Sequence, residues 1–117
     1  MKRAVNMMRY PFVLHDENGE VFSLPPSGQL IGVNEDVENS VVEFENIGRV
    51  PVSTVRSTVS ALPSMIDGVV YIVPMRVLLA MHEQGYYTSD FYAPNMLVKD
   101  NTGKVIGSRR LMQLPQD

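Results

Sequence analysis

Acid–base or metal chemistry in this chain would have to come from two histidines, His15 and His82, and thirteen aspartates and glutamates, because there is no cysteine. The missing thiol removes disulfides, thiolate zinc sites, iron–sulfur clusters and cysteine nucleophiles together. Two histidines are too few for a histidine-rich cage, and His82-Glu83 lacks the second histidine at helical spacing that a zinc helix requires. Each reads more simply as a helix-end or strand-end residue, so no metal and no cofactor is expected. The densest carboxylates are Glu35, Asp36, Glu38, Glu43 and Glu45. Glycosidase-type work needs two such groups at a fixed separation in a cleft. Glu43 and Glu45, two apart on a strand, share a face that reads as solvated or as an electrostatic contact for a basic partner. Ser27 and Ser108 sit beside glycines, but neither lies in a G-x-S-x-G elbow, and no Rossmann or P-loop fingerprint occurs. No catalytic residue is assigned, and the chain reads as not an enzyme.

Binding is better supplied. Arg109 and Arg110, with Lys99, Lys104 and Arg56, form the one concentration of positive charge in the sequence. Guanidinium forks match phosphate geometry, and Tyr86, Tyr87 and Tyr92 offer faces on which a base could stack. These are the candidates for a small anionic ligand, set against a simpler reading in which tyrosines pack over a sheet end. Glu35, Asp36, Glu38, Glu43 and Glu45, with Phe91 from the aromatic 86–92 segment, are the candidates for a protein partner.

The elements that must position these side chains are mostly strands. Phe12-Val13-Leu14-His15 and Val21-Phe22-Ser23-Leu24 flank Asn18-Gly19, whose tolerance of positive φ suits a tight hairpin. Pro25-Pro26-Ser27-Gly28 ends the second strand, and Gln29 to Val33 reads as a third. Residues 34–39 are acidic and poor in β formers, which predicts a loop. Val41 to Glu45 alternates apolar with acidic, Asn46-Ile47-Gly48 can turn it back, and Arg49 to Arg56 is its partner, placed at an edge by Pro51. A loop from Ser57 to Gly68 precedes Val69 to Val73, a continuous β-branched and aromatic run expected to be covered on both faces. Pro74 at the first helical position, an apolar face of Met75, Val77, Leu78 and Met81, and Gly85 as a stop predict a helix over 74–84. Met96 to Lys99 and Lys104 to Gly107 flank Asp100-Asn101-Thr102-Gly103 as a second hairpin, and residues 113–117 read as a flexible tail.

A chain of 117 residues is one domain's worth, 1–117, able to bury about two-thirds of its extended surface without staples. The net charge of −3 argues against general nucleic-acid binding. The basic start, Met1-Lys2-Arg3, is interrupted by Asn6 and Arg9 before an apolar segment can develop, and no apolar run approaches the ~20 residues that span a bilayer. A cytoplasmic protein without a membrane segment is therefore expected.

Several stretches resemble a group of small proteins encoded by bacteriophages and prophages. They are Pro25-Pro26-Ser27-Gly28, Leu62-Pro63, Asp67-Gly68-Val69-Val70-Tyr71-Ile72-Val73, Ala93-Pro94 and Val98 to Arg109 with its V-x-D-x-x-G-x-V-I-G-x-R pattern. The opening Asn6-Met7-Met8-Arg9-Tyr10-Pro11 departs from that group's usual Asn-Leu-Thr-Pro-His-like stretch. The resemblance implies a setting, an accessory viral product acting inside a bacterial host cell, rather than a reaction. The expected architecture is a β-rich α+β domain: a small antiparallel sheet or partly open barrel of six to seven short strands with one helix. The expected role is non-catalytic, binding and blocking a host factor, with inhibition of host defence as one form of it. The alternatives are an oligomeric protein that sequesters a nucleotide-like or phosphorylated small molecule, a minor virion component, and a hydrolase. Eight methionines and a short apolar sheet also suggest a homo-oligomer.

Overall fold

The uninterrupted run at Val69 is the middle of the molecule in packing terms, and the other elements cover it. In a computed structural model, which describes residues 1–115, the order is β1 (Arg3–Asn6), β2 (Phe12–His15), β3 (Val21–Leu24), β4 (Gly32–Phe44), β5 (Gly48–Ser60), β6 (Val69–Ile72), α1 (Met75–Glu83), β7 (Phe91–Lys99) and β8 (Val105–Met112). Six strands form one sheet in the order β1-β6-β7-β8-β2-β3, and β4 and β5 form a separate two-stranded sheet. Successive strand residues point to opposite faces. Tyr71 accordingly joins the larger core with Met7, Val77, Leu78, Met81 and Phe91, while its neighbour Ile72 joins Met8 and Phe12 in a second, smaller core. The Tyr71 and Phe91 rings stack with centroids 5.3 Å apart.

The β-rich α+β class holds, with two corrections to the expected architecture. The sheet is open, ending at β1 and β3, in line with the expected sheet or partly open barrel. It is mixed rather than antiparallel, since β6 runs parallel to both β1 and β7, and β2 parallel to β8. A hairpin would have made β6 and β7 antiparallel, but α1 lies between them and carries the chain back to the starting end, as a crossover helix does. Strands number eight among the described residues, and two of them are 13 residues long.

Those two long strands overturn the predicted loop at 34–39. Asn34 to Asn39 lie in the middle of β4, paired in unbroken register with Thr58, Ser57, Arg56, Val55, Thr54 and Ser53. The residues have weak β propensity of their own, but they face β-branched and hydroxyl side chains across the ladder, and Asp36 stands opposite Arg56. The turn at 45–47, with Gly48 at φ +84°, falls where it was expected, whereas β4 begins only at Gly32 rather than at Gln29.

The arm formed by β4 and β5 is anchored only at its root. Val33, Val59 and Ile31 pack into the larger core, and the Gln84 side chain at the end of α1 donates from Nε2 to the Ser57 carbonyl and accepts from the Val59 N–H. Pro74 stands one position earlier than expected, as the helix cap, and Gly85 at φ +81° ends the helix. At the C-terminal side Gln113 donates to the Ser89 carbonyl and Leu114 packs on the core, so this part of the expected tail is tied down; Gln116 and Asp117 lie outside the described residues. Among the described residues no helix is long and apolar enough to cross a membrane.

At the junction of β2 with β8 the strands approach closely at Gly107. A Cβ built on Gly107 would stand 2.6 Å from His15 Cδ2, 2.7 Å from His15 Nε2 and 2.9 Å from the Val13 carbonyl oxygen. Gly107→Ala is therefore expected to cost roughly 1–3 kcal/mol by overpacking, read as a lowered urea midpoint at unchanged slope. A midpoint within error of the parent would show that the imidazole yields freely.

Candidate functional site

Three guanidiniums reach one side of the molecule from three separate segments. Arg3 is on β1, Arg9 follows it in the loop to β2, and Arg76 is in the first turn of α1. Arg9 and Arg76 line a concavity of about 680 Å³ with Tyr10, Asn34 and an apolar floor of Met7 and Val77. Arg3 lines an adjoining concavity of about 660 Å³ with Ser27, Gln29, Ser64 and Tyr71, and Met7 and Leu30 belong to both walls. Among the described residues no carboxylate lines either one. α1 begins against the first of them with neither a side-chain cap nor an acidic residue in its opening turn, which leaves its positive end uncompensated.

Local chemistry explains how this trough is held. β1 stops at Asn6, whose buried side chain replaces the ladder: Nδ2 donates to the Tyr10 and Leu24 carbonyls, both at 3.0 Å, and Oδ1 accepts from the Met8 N–H at 2.8 Å. Met7 and Met8 then enter opposite cores, which turns Arg9 and Tyr10 outward. The Pro25-Pro26-Ser27-Gly28 turn is tied to the same point, since the Ser27 N–H donates to the Asn6 carbonyl at 2.9 Å. Ser27, Pro63, Val69 and Tyr71 meet around the Arg3 concavity, and the Tyr71 hydroxyl donates to the Ser64 carbonyl. Ala61, at φ +59° without being glycine, turns the chain out of the arm beside it.

The residues selected from sequence are distributed differently. Arg109 and Arg110 are exposed on β8, and Lys99 and Lys104 flank the β7–β8 turn, so none of the four lines either concavity. Tyr86 and Tyr87 follow α1 and border a shallow depression of about 170 Å³ with Leu62, Pro63 and Met65, where no cation stands. Tyr92 is half-buried on β7. Phe91 is corrected from partner contact to core, being 2 % exposed beneath α1 and against Tyr71. Glu35, Asp36, Glu38 and Glu43 are exposed on β4, and Glu45 lies in the turn beyond it, off the strand face it was expected to share with Glu43. By strand parity Glu35 and Glu43 face one side of the arm and Asp36 and Glu38 the other, where the latter two flank Arg56 and Thr54.

His82 sits in the last turn of α1, and His15 ends β2 with Nε2 buried and unpartnered, as is the Ser108 hydroxyl. Among the described residues no three histidine, aspartate or glutamate side chains gather as metal ligands would. The arginines and Tyr10 that the sequence reading passed over carry no local motif, and the one cue was the adjacent pair Met7-Met8, too apolar for a loop that points wholly outward. No protein-family model, curated protein or solved structure matches the chain.

Two expectations follow from these local networks. Asn6→Ala strands two carbonyls and one N–H in a buried place and should cost about 2–4 kcal/mol in a denaturant titration, with the amide signals of Met8 and Tyr10 losing their dispersion first. At the β7–β8 turn the Asp100 carboxylate accepts from the Thr102 hydroxyl, the Thr102 N–H and the Lys104 N–H, and these bonds, the hydroxyl first, hold its pKa below the ordinary value. The turn's contribution is therefore complete above the unfolded pKa of about 3.9 and is lost as pH falls through the lower folded one. The Thr102 amide shift should titrate with a midpoint below that of free aspartate; a midpoint at or above it would contradict the network.

Proposed function

We propose that this chain works by occupation rather than turnover, as a non-catalytic accessory viral protein that captures an anionic small molecule of the bacterial host, of the phosphorylated or nucleotide-like class, in the trough between β1, α1 and the root of the arm. One observation carries the reading: a protein with a net charge of −3 lines two adjoining concavities with Arg3, Arg9 and Arg76 and, among the described residues, with no carboxylate. Such a distribution disfavours cationic and neutral polar ligands and supplies forked donors for phosphate oxygens. Tyr10 and the apolar floor of Met7 and Val77 suit the flat, less polar body to which such a phosphate is attached. Occupation also agrees with the placement of the histidines, one in a helix end and one packed over Gly107, away from the arginines.

A second reading, direct blockade of a host protein, is favoured by the exposed acidic strand β4 with its carboxylates at Glu35, Asp36, Glu38 and Glu43. The two separate by experiment. Calorimetry against a panel of nucleotides and phosphorylated metabolites should find a ligand whose dissociation constant rises at least about tenfold in Arg9→Ala and again in Arg76→Ala, each lost guanidinium–phosphate contact being worth about 1.5–3 kcal/mol. Glu35→Lys/Asp36→Lys/Glu38→Lys should leave that binding intact. Loss of a host protein from pull-downs by the lysine variant, with no ligand found in the panel, would favour the second reading instead.

A further inference from the structure

The arm is built as though its surroundings were incomplete. It carries 13 consecutive register pairs, and the whole chain has a radius of gyration of 17.9 Å, where a compact chain of this length would have about 13 Å. One face bears Val33 with Val59, Val37 with Val55, and Val41 with Pro51. The first pair is packed in the larger core, but farther out Val37 is 56 %, Val55 54 % and Val41 52 % exposed. The opposite face carries Val42 and Phe44 toward the tip, also exposed. A two-stranded ribbon without a covering layer is at best marginally stable in water. A second copy of the chain, present from folding onward, would supply such a cover.

Charge indicates where the arm lies on that copy. Between Gly32 and Ser60 there are five carboxylates and two guanidiniums, so the arm holds a net −3, the charge of the entire chain. The β7–β8 hairpin, from Phe91 to Met112, holds Lys99, Lys104, Arg109 and Arg110 against the single carboxylate of Asp100, a net +3. That hairpin also exposes Leu97, which by register shares a face with Arg110, and Leu111, which shares the opposite face with Arg109. Edge-to-edge pairing of two arms is disfavoured, because it would set acidic strands together along β4 and meet Pro51, with no N–H to offer, along β5.

We propose that the valine face of each arm, which also carries Glu35 and Glu43, docks on the face of a second copy's β7–β8 hairpin that bears Leu97 and Arg110, those carboxylates meeting that guanidinium in a reciprocal exchange. Beyond its buried root the arm is about 30 Å long and about 10 Å wide, a face of roughly 300 Å², and two reciprocal contacts bury about 1,200 Å² in total, the lower end of an ordinary stable interface.

Two variants of the full chain test the exchange by light scattering during size exclusion, with circular dichroism to confirm that each is folded. Glu35→Arg/Glu43→Arg makes the arm basic, and Arg109→Glu/Arg110→Glu makes the hairpin acidic. The parent is expected at twice the 13.1 kDa chain mass at micromolar concentration, and each variant alone should dissociate at least about tenfold more readily. Mixed in equal amounts they should recover the parent mass, since each arm then meets a hairpin of opposite sign. A parent that stays at single-chain mass, variants that remain as associated as the parent, or a mixture that fails to reassociate would each overturn the proposal.

Discussion

A strand with no wet face must be covered twice, and Val69–Ile72 is covered on one side by α1 and the root of the arm and on the other by Met8 and Phe12. This double burial is what orders the rest. It requires neighbours along both hydrogen-bonding edges, supplied by β1 and β7, and both neighbours come from chain that has crossed over rather than turned back. It also requires two adjacent residues at the end of β1 to part in opposite directions. Met7 and Met8 do so, and Asn6 supplies the hydrogen bonds that the abandoned ladder would have made. Burying a large apolar side chain removes roughly 1.5–3 kcal/mol of exposed surface cost, so the loop bearing Arg9 and Tyr10 is held by the packing beneath it together with the Asn6 bond to the Tyr10 carbonyl.

The trough is thus a consequence of covering the core and not an addition to it. Its walls are the end of β1, the start of α1 and the root of the arm, each already fixed by burial of Met7, Val77 and Ile31. Long arginines suit such a place, because their stems lie along apolar surface while the guanidinium stays wet. The Gln84 clasp on Ser57 and Val59 links the other end of the same helix to the arm, so α1 sets the arm's exit and the trough's mouth together.

Local chemistry was legible in the sequence wherever a turn or a cap decided it. Asn18-Gly19, Ile47-Gly48 and Thr102-Gly103 close hairpins at the places expected, and Pro74 and Gly85 bracket the helix. What could not be read was set by pairing between distant residues. Asn34 to Asn39 lack an alternating pattern because both their faces are wet, and they are strand only because β5 faces them. β1 is four residues long and finds its partner in β6, far along the chain, so no local signal announces it. The convergence of Arg3, Arg9 and Arg76 has the same origin. Arg109 and Arg110, adjacent in sequence, drew attention as a cluster, yet neighbours on a strand point to opposite faces and so cannot together grip one phosphate from one side.

The separation of charge within the chain also reconciles an acidic protein with a cationic trough. Were the five carboxylates of residues 32–60 spread over the body, they would stand within reach of the three arginines and offset them. On the arm they recede from the trough at about 3.4 Å per residue, so Glu43 lies roughly 30 Å from the paired root at Val33, several Debye lengths at physiological salt. Of the arm's acids only Glu35 and Asp36 are near enough to matter, and the arm residues that line the trough itself, Gly32, Val33 and Asn34, are uncharged. The field at Arg9 and Arg76 is then governed by those guanidiniums and the uncapped start of α1, whatever the sign of the molecule as a whole.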